Sequence, residues 1–250
     1  MSLRCVERSM VSKLTQSPTL VRVAPFAVFI GLMILQDRFG ENGRYWIYLA
    51  KTVAAAAVLF IVFRHIEELE WRFSWEAVAV GAGVFAFWVG FSGHYPPLSE
   101  LYANFICPLL QKIGLAKDCA VSAAPAWNPN KTFGNGSTLA IFFIVVRIAG
   151  TSLVVPMMEE IFFRSFVYRF VAGKDWLAVP LGRFQLIPFL VTSLLFGFQH
   201  QEWLSGILCG FAYQGLVIWK NRLGDAITAH AITNFLLGIW VVWRGAWQFW

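Results

Sequence analysis

The chain has 250 residues, of which 58% are hydrophobic and only 14% charged, with a mean hydropathy of +0.62. A soluble domain carries roughly 25% charged residues, so this composition excludes an ordinary water-facing surface. The net charge of +6 comes without a basic cluster interleaved with aromatics, which argues against nucleic acid as a partner. It fits Lys and Arg held in cytoplasmic loops of a membrane protein.

A spanning helix needs about 20 mostly apolar residues. On that scale the candidate spans are 23–36, 45–63, 75–93, 138–158, 184–198, 203–219 and 226–243. The fold class expected is therefore all-α, a polytopic transmembrane helix bundle of about seven spans (six to eight). The first and fifth spans are short, so tilt or extension into their flanks is expected. Twelve Trp and 24 Phe supply interfacial belts for such a bundle. Residues 1–20 are polar and mildly basic, and no small-residue cleavage site follows the first apolar run, so that run is expected to stay as an anchor.

The domains expected are a cytoplasmic segment over 1–22, three spans over 23–93, a long extracytoplasmic loop over 94–137 and a four-span core over 138–250. The loop contains Pro96, Pro97, Pro108, Pro125 and Pro129, with a short interfacial helix expected over 101–113. Of the four Cys, Cys5, Cys107, Cys119 and Cys209, none has zinc-ribbon or CxxC spacing. Cys107 and Cys119 can pair if their loop faces an oxidising compartment, and both states are open.

With the N-terminus inside, the inner segments hold Arg4, Arg8, Lys13, Arg22, Arg64, Arg72, Arg164, Arg169, Lys174, Arg183, Lys220 and Arg222. The outer ones hold half as many: Arg38, Arg44, Lys112, Lys117, Lys131 and Arg244. That bias favours a cytoplasmic N-terminus and an outer C-terminus. Lys51 and Arg147 lie within spans.

Ionisable groups at membrane depth are costly and mark functional sites by default. The richest stretch is Val154–Arg169, VVPMMEEIFFRSFVYR. Glu160 and Arg164 are four apart and share a helix face, so they can pair. Glu159 points about 100° away and is left alone. A carboxylate without a partner in apolar surroundings holds a proton more tightly, as a general base near neutrality requires. Downstream, Phe196–His200 reads FGFQH, and Ala229–Phe235 reads AHAITNF, with His230 and Asn234 on one face. His65 and His94 sit at span ends where nothing converges on them. Solvated charges at a helix end are the bland account of Glu159 and Glu160. Two His, two acids, an Arg and an Asn confined to the last four spans make a less ordinary set, able to supply a base, a water-holding or metal-holding group, and oxyanion donors.

Three patterns in order carry a resemblance. Glu159-Glu160 with Arg164, Phe196 with His200, and His230 with Asn234 resemble the three motifs of the CAAX prenyl protease and bacteriocin-processing family of intramembrane proteases. The likeness covers roughly 139–243. The ending TNFLLGIWVVWRGAWQFW, with PLGRF before the fifth span, is similar to the bacterial branch found with exosortase (PEP-CTERM) and exopolysaccharide systems.

The resemblance implies an intramembrane endopeptidase of a bacterial inner membrane, acting on a membrane-associated peptide or protein. Glu159 would be the base that activates water and His200 would help hold that water. His230 and Asn234 would stabilise the oxyanion, and Glu160 with Arg164 would be the supporting pair. Zinc is an open alternative, since Glu159, His200 and His230 form a two-His, one-carboxylate set, although no HExxH signature is present. The competing account is a non-catalytic membrane scaffold or immunity factor of an export or sorting system. A secondary transporter would spread its Glu and His partners over both halves of the chain, and here they crowd into the second.

One difficulty is geometric. The hydropathy boundaries put Glu159 at the inner end of the fourth span and His200 at the outer end of the fifth, about 30 Å apart. A shared site requires the fourth helix to run on through about Arg169 and the fifth to be tilted or shifted.

Overall fold

The structure, a computed structural model, describes residues 12–119 and 126–250. Arg4, Arg8, Cys5 and Pro125 lie outside the described residues. Seven long helices account for most of the rest: α1 (Pro18–Met33), α2 (Gly40–His65), α3 (Trp75–Phe91), α4 (Thr138–Ala172), α5 (Leu186–Phe198), α6 (Trp203–Lys220) and α7 (Gly224–Arg244). Among the described residues there is no strand. By length and composition α2, α4 and α7 can each cross a bilayer, and α1, α3 and α5 are shorter apolar helices. The bundle is a polytopic membrane fold whose outer surface is apolar, with Phe60, Trp75, Leu153 and Ile187 turned outward.

Serines set three of the helix starts. Ser17, Ser74 and Ser137 each accept a hydrogen bond from the backbone N–H three residues on, satisfying a donor that the first turn leaves unpaired. Asn221 and Gly245 close α6 and α7 in the left-handed conformation. Without a hydrophobic drive between helices in lipid, small residues let the backbones approach. A Cβ on Gly81 of α3 would lie 2.5 Å from the Ala229 carbonyl of α7. One on Gly210 of α6 would lie 2.8 Å from Cα of Ser193 in α5.

The fourth helix is 35 residues long, about 52 Å at 1.5 Å per residue. It runs through Arg169, as a shared site requires, and ends at Ala172. Two wide-turn π segments, Gly150–Val154 and Ile161–Val167, interrupt its regular spacing. Such segments accumulate at functional sites because each re-aims the side chains beside it. The fifth helix has only 13 residues. It rises about 20 Å, so its turn into α6 stops well inside the bundle.

The described parts of the connection, 92–119 and 126–137, gather at the end of the bundle where α3 and α5 finish and α4 begins. Short helical turns occupy 98–112 and Pro129–Phe133. Cys107 and Cys119 are joined by a disulfide with Cα atoms 5.6 Å apart. Backbone N–H of Leu98 donates to the Gln201 carbonyl, and Trp203 Nε1 donates to the Pro96 carbonyl. The α5–α6 turn is thereby capped by protein rather than left to lipid.

At the opposite end Glu68, in the α2–α3 connection, receives Arg22 of α1 and Arg169 of α4, and Ser165 donates to the same carboxylate. Burial works against the charge on Glu68, but the Arg22 hydrogen bonds and the two guanidinium charges override it and hold its carboxyl below the usual range. This cluster pins α1 to the far end of α4. His65 lies on the rim of the same polar cavity.

Candidate active site

Glu159 lies 13 residues before the end of α4, about 20 Å from it. His230 is in the second turn of α7, and His200 follows the last turn of α5. The long α4 and the short α5 bring the three to one depth, which removes the 30 Å separation that hydropathy boundaries suggest. Glu159, His200, His230 and Asn234 line one chamber enclosing about 170 Å³, together with Trp88, Phe196, Cys209, Tyr213 and Thr233. Glu160 and Arg164 stand behind its wall with no exposure to solvent.

The two glutamates have different roles in the packing. Glu160 Oε2 accepts from Arg164 Nε at 2.9 Å, and Glu160 Oε1 accepts from His230 Nδ1 at 3.0 Å. The pairing expected of Glu160 and Arg164 is present, and His230, expected as a separate oxyanion group, joins it as a third member. A carboxylate only accepts, so the Nδ1 proton is fixed by this bond and Nε2 is turned toward the chamber. There Nε2 stands 4.0 Å from Glu159 Oε2, which is buried and has no hydrogen-bond partner. That gap is too long for a direct hydrogen bond and suits a bridging water. The imidazole is held flat by Tyr213, whose ring stacks on it at 5.0 Å and 19°. The Tyr213 hydroxyl donates to Thr233 Oγ1 at 2.8 Å, and Thr233 faces the Gly81 carbonyl at 2.9 Å. This last contact needs the close approach of α3 that Gly81 permits.

His200 donates from Nδ1 to the Phe196 carbonyl at 2.9 Å, leaving Nε2 for the chamber. Its ring meets those of Trp88 and Phe196 edge-on or tilted at 5.5 and 5.2 Å. The FxxxH pattern thus has a physical reason: Phe196 supplies both the acceptor that sets the tautomer and a ring for the Arg164 guanidinium, 4.6 Å from its centroid. Asn234 is less free than expected. Its Nδ2 donates to the Thr151 carbonyl at 2.8 Å, within the π segment of α4, so one of its two amide hydrogens is committed to the backbone.

His230 and His200 each have Nδ1 hydrogen-bonded, to Glu160 and to the Phe196 carbonyl, and keep Nε2 toward the chamber, while among the described residues no group of three His, Cys, Asp or Glu side chains is gathered closely enough to hold a metal ion. His94 is stacked on Phe91 away from the chamber. Tyr213, Thr233, Trp88 and Arg147 are not part of the sequence motifs; Arg147 as a charge within a span and Tyr213 in an otherwise apolar one were the available signals.

Residues 140–236 match the family model described as type II CAAX prenyl endopeptidase Rce1-like. They are an Rce1-like domain. The domain begins in the first turn of α4 and ends within α7, so it contains Glu159, Glu160, Arg164, His200, His230 and Asn234. Neither a curated protein nor a solved structure matches the chain. At family level the Rce1-like domain is that of an intramembrane endopeptidase. Outside it, α3 contributes Trp88 to the chamber and Gly81 to the packing beneath it.

Proposed function

We propose that the chain is a glutamate-dependent intramembrane endopeptidase that cleaves a membrane-associated peptide with a water held between Glu159 and the two histidines. The observation that carries this is the unpartnered Glu159 Oε2 facing His230 Nε2 across 4.0 Å inside a chamber at membrane depth. Glu159 takes a proton from the water as its oxygen bonds to the peptide carbonyl carbon. His200 Nε2 orients that water. The second amide hydrogen of Asn234 donates to the developing oxyanion, and His230, braced by Glu160 through Nδ1, turns Nε2 to the same place. The tetrahedral intermediate then collapses, the C–N bond breaks, and Glu159 returns its proton to the leaving amine. Arg164 balances the buried charge of Glu160, so that Glu160 braces His230 without itself taking a proton.

Orientation belongs to the same reading. The chamber's lining runs along α4 to Arg147, toward the end that carries the Cys107–Cys119 disulfide, and disulfides persist in oxidising compartments. With the Lys and Arg bias this supports a cytoplasmic N-terminus and a chamber reached from the extracytoplasmic side.

The test compares wild type with Glu159→Gln in membranes by peptide-terminus proteomics. A membrane peptide whose new terminus disappears in the variant, while the protein inserts normally, is the expected result. Unchanged termini, with full complementation of a deletion by the variant, would overturn the peptidase and favour the scaffold.

A further inference from the structure

The chamber does not end at the histidines. Toward the disulfide end its wall continues along α4 through Val155 and Thr151 to Arg147. The Arg147 guanidinium sits in a box of rings, 4.6 Å from the centroid of Tyr48, 4.8 Å from that of Trp127 and 5.9 Å from that of Trp250. Its Nε is buried and has no hydrogen-bond partner. Among the described residues no carboxylate pairs with Arg147. Glu41, one turn from Arg44 on α2, is exposed and hydrogen-bonded to Thr132. The Arg44 guanidinium lies close enough to add its own charge to this end of the chamber.

The guanidiniums farther along α4 each have a counter-charge: Arg164 has Glu160, and Arg169 shares Glu68 with Arg22 of α1. A half-buried cation without one, its Nε shut off from water, is costly, and rings soften that cost without supplying an acceptor. Planar N–H groups held by stacking are preorganised to receive a carboxylate. We propose that Arg147 and its ring box are a carboxylate subsite for the peptide, resting on the peptidase reading of the chamber.

The helix that carries both groups is also a ruler. Arg147 and Glu159 are twelve positions apart on α4, about 18 Å at helical rise. An extended peptide covers that in about five residues at roughly 3.3–3.6 Å each. The acidic group therefore lies about four to six residues from the bond cleaved. It is either a main-chain carboxylate or the side chain of Asp or Glu, which have the same chemistry at Arg147.

The test uses the full chain with Glu159→Gln in detergent micelles, so that binding is read without turnover. The probes are three acetylated apolar hexapeptides: one with a free C-terminal carboxylate, its amide, and the amide with Glu as the last residue. At least one carboxylate-bearing peptide is expected to bind tenfold or more tightly than the plain amide. The free acid alone binding tightly identifies a chain terminus as the source, and the Glu amide binding tightly identifies a side chain. Arg147→Gln should erase the preference and Arg147→Lys should retain part of it. Equal binding of all three peptides overturns the subsite, as does no binding of any at millimolar concentration or a preference that survives Arg147→Gln. Product analysis of the same samples is read apart from binding: a Glu159→Gln variant that still hydrolysed the peptides would sink the peptidase reading separately, leaving the binding result legible.

Discussion

Replacing Glu160 by Gln removes one charge from a site where nothing is exposed to water. Glu160 accepts from both Arg164 Nε and His230 Nδ1, one through each oxygen. Gln keeps the shape but offers a single acceptor oxygen, and its amide nitrogen must then face one of those donors. Arg164 already has Nη1 and Nη2 buried without partners, so loss of Glu160 leaves an uncompensated charge with little local relief. Breaking a buried pair from one side costs about 3–5 kcal/mol. For a chain of this size about 1 kcal/mol moves the melting temperature by roughly 2–4 °C, so the variant should melt about 6–20 °C lower. A double-mutant cycle with Arg164→Met isolates the pair, because the doubly substituted protein carries neither charge. It should be less destabilised than the sum of the single variants by about 1 kcal/mol or more. Thermal unfolding of the four proteins in one detergent, followed by circular dichroism, gives the comparison. A Glu160→Gln protein that melts within 2 °C of wild type, or a cycle that is additive, would refute the reasoning. It would mean that Glu160 is not the counter-charge the packing makes it.

Two further outcomes follow from the ends and the seam of the bundle. Glu68 has a folded-state pKa below its unfolded value, so its contribution is fully present above the ordinary carboxylate pKa and is lost as pH falls through the folded value. Melting temperature in wild type should therefore drop below about pH 4.5 more steeply than in Glu68→Gln; parallel curves would show that the Arg22–Glu68–Arg169 cluster contributes nothing to stability. At the α3–α7 seam, Gly81→Leu forces a side chain against the Ala229 backbone and disturbs Thr233, Tyr213 and the stacked His230. Overpacking costs about 1–3 kcal/mol, and peptide hydrolysis should fall with it; a variant as stable and active as wild type would show that the seam is not closely packed.

The site was more legible than the spans. Glu, His, Arg and Asn stand out against apolar helices because each is expensive there, and their order along the chain carried the family likeness. What fooled the hydropathy reading of α4 was the site itself: Glu159, Glu160 and Arg164 lower the local average and end the apparent span at 158, although the helix continues to Ala172. The commitment of Asn234 could not be read, because its acceptor, the Thr151 carbonyl, is part of a π segment that leaves no mark on residue type. Glu68 is one of several acids in a polar connection, and only the tertiary fold brings Arg22 and Arg169 to it. Arg147 was visible as a charge within a span, but its aromatic box comes from Tyr48 on α2, Trp127 in the long connection and Trp250 beyond α7.

The brevity of α5 also bears on the bilayer around the protein. Thirteen residues reach about 20 Å, about 10 Å less than the hydrocarbon they sit beside. Leu186, Ile187, Leu190, Leu194 and Leu195 on its flank are exposed, so lipid must follow this shortened apolar face. Thinning of the bilayer is one of the ways in which lipid meets such a mismatch. Hydrolysis consumes a water molecule at each turnover in a medium that holds almost none. Thinning beside the chamber would shorten the path along which that water arrives, and would lower the cost of drawing a polar peptide end down to Glu159.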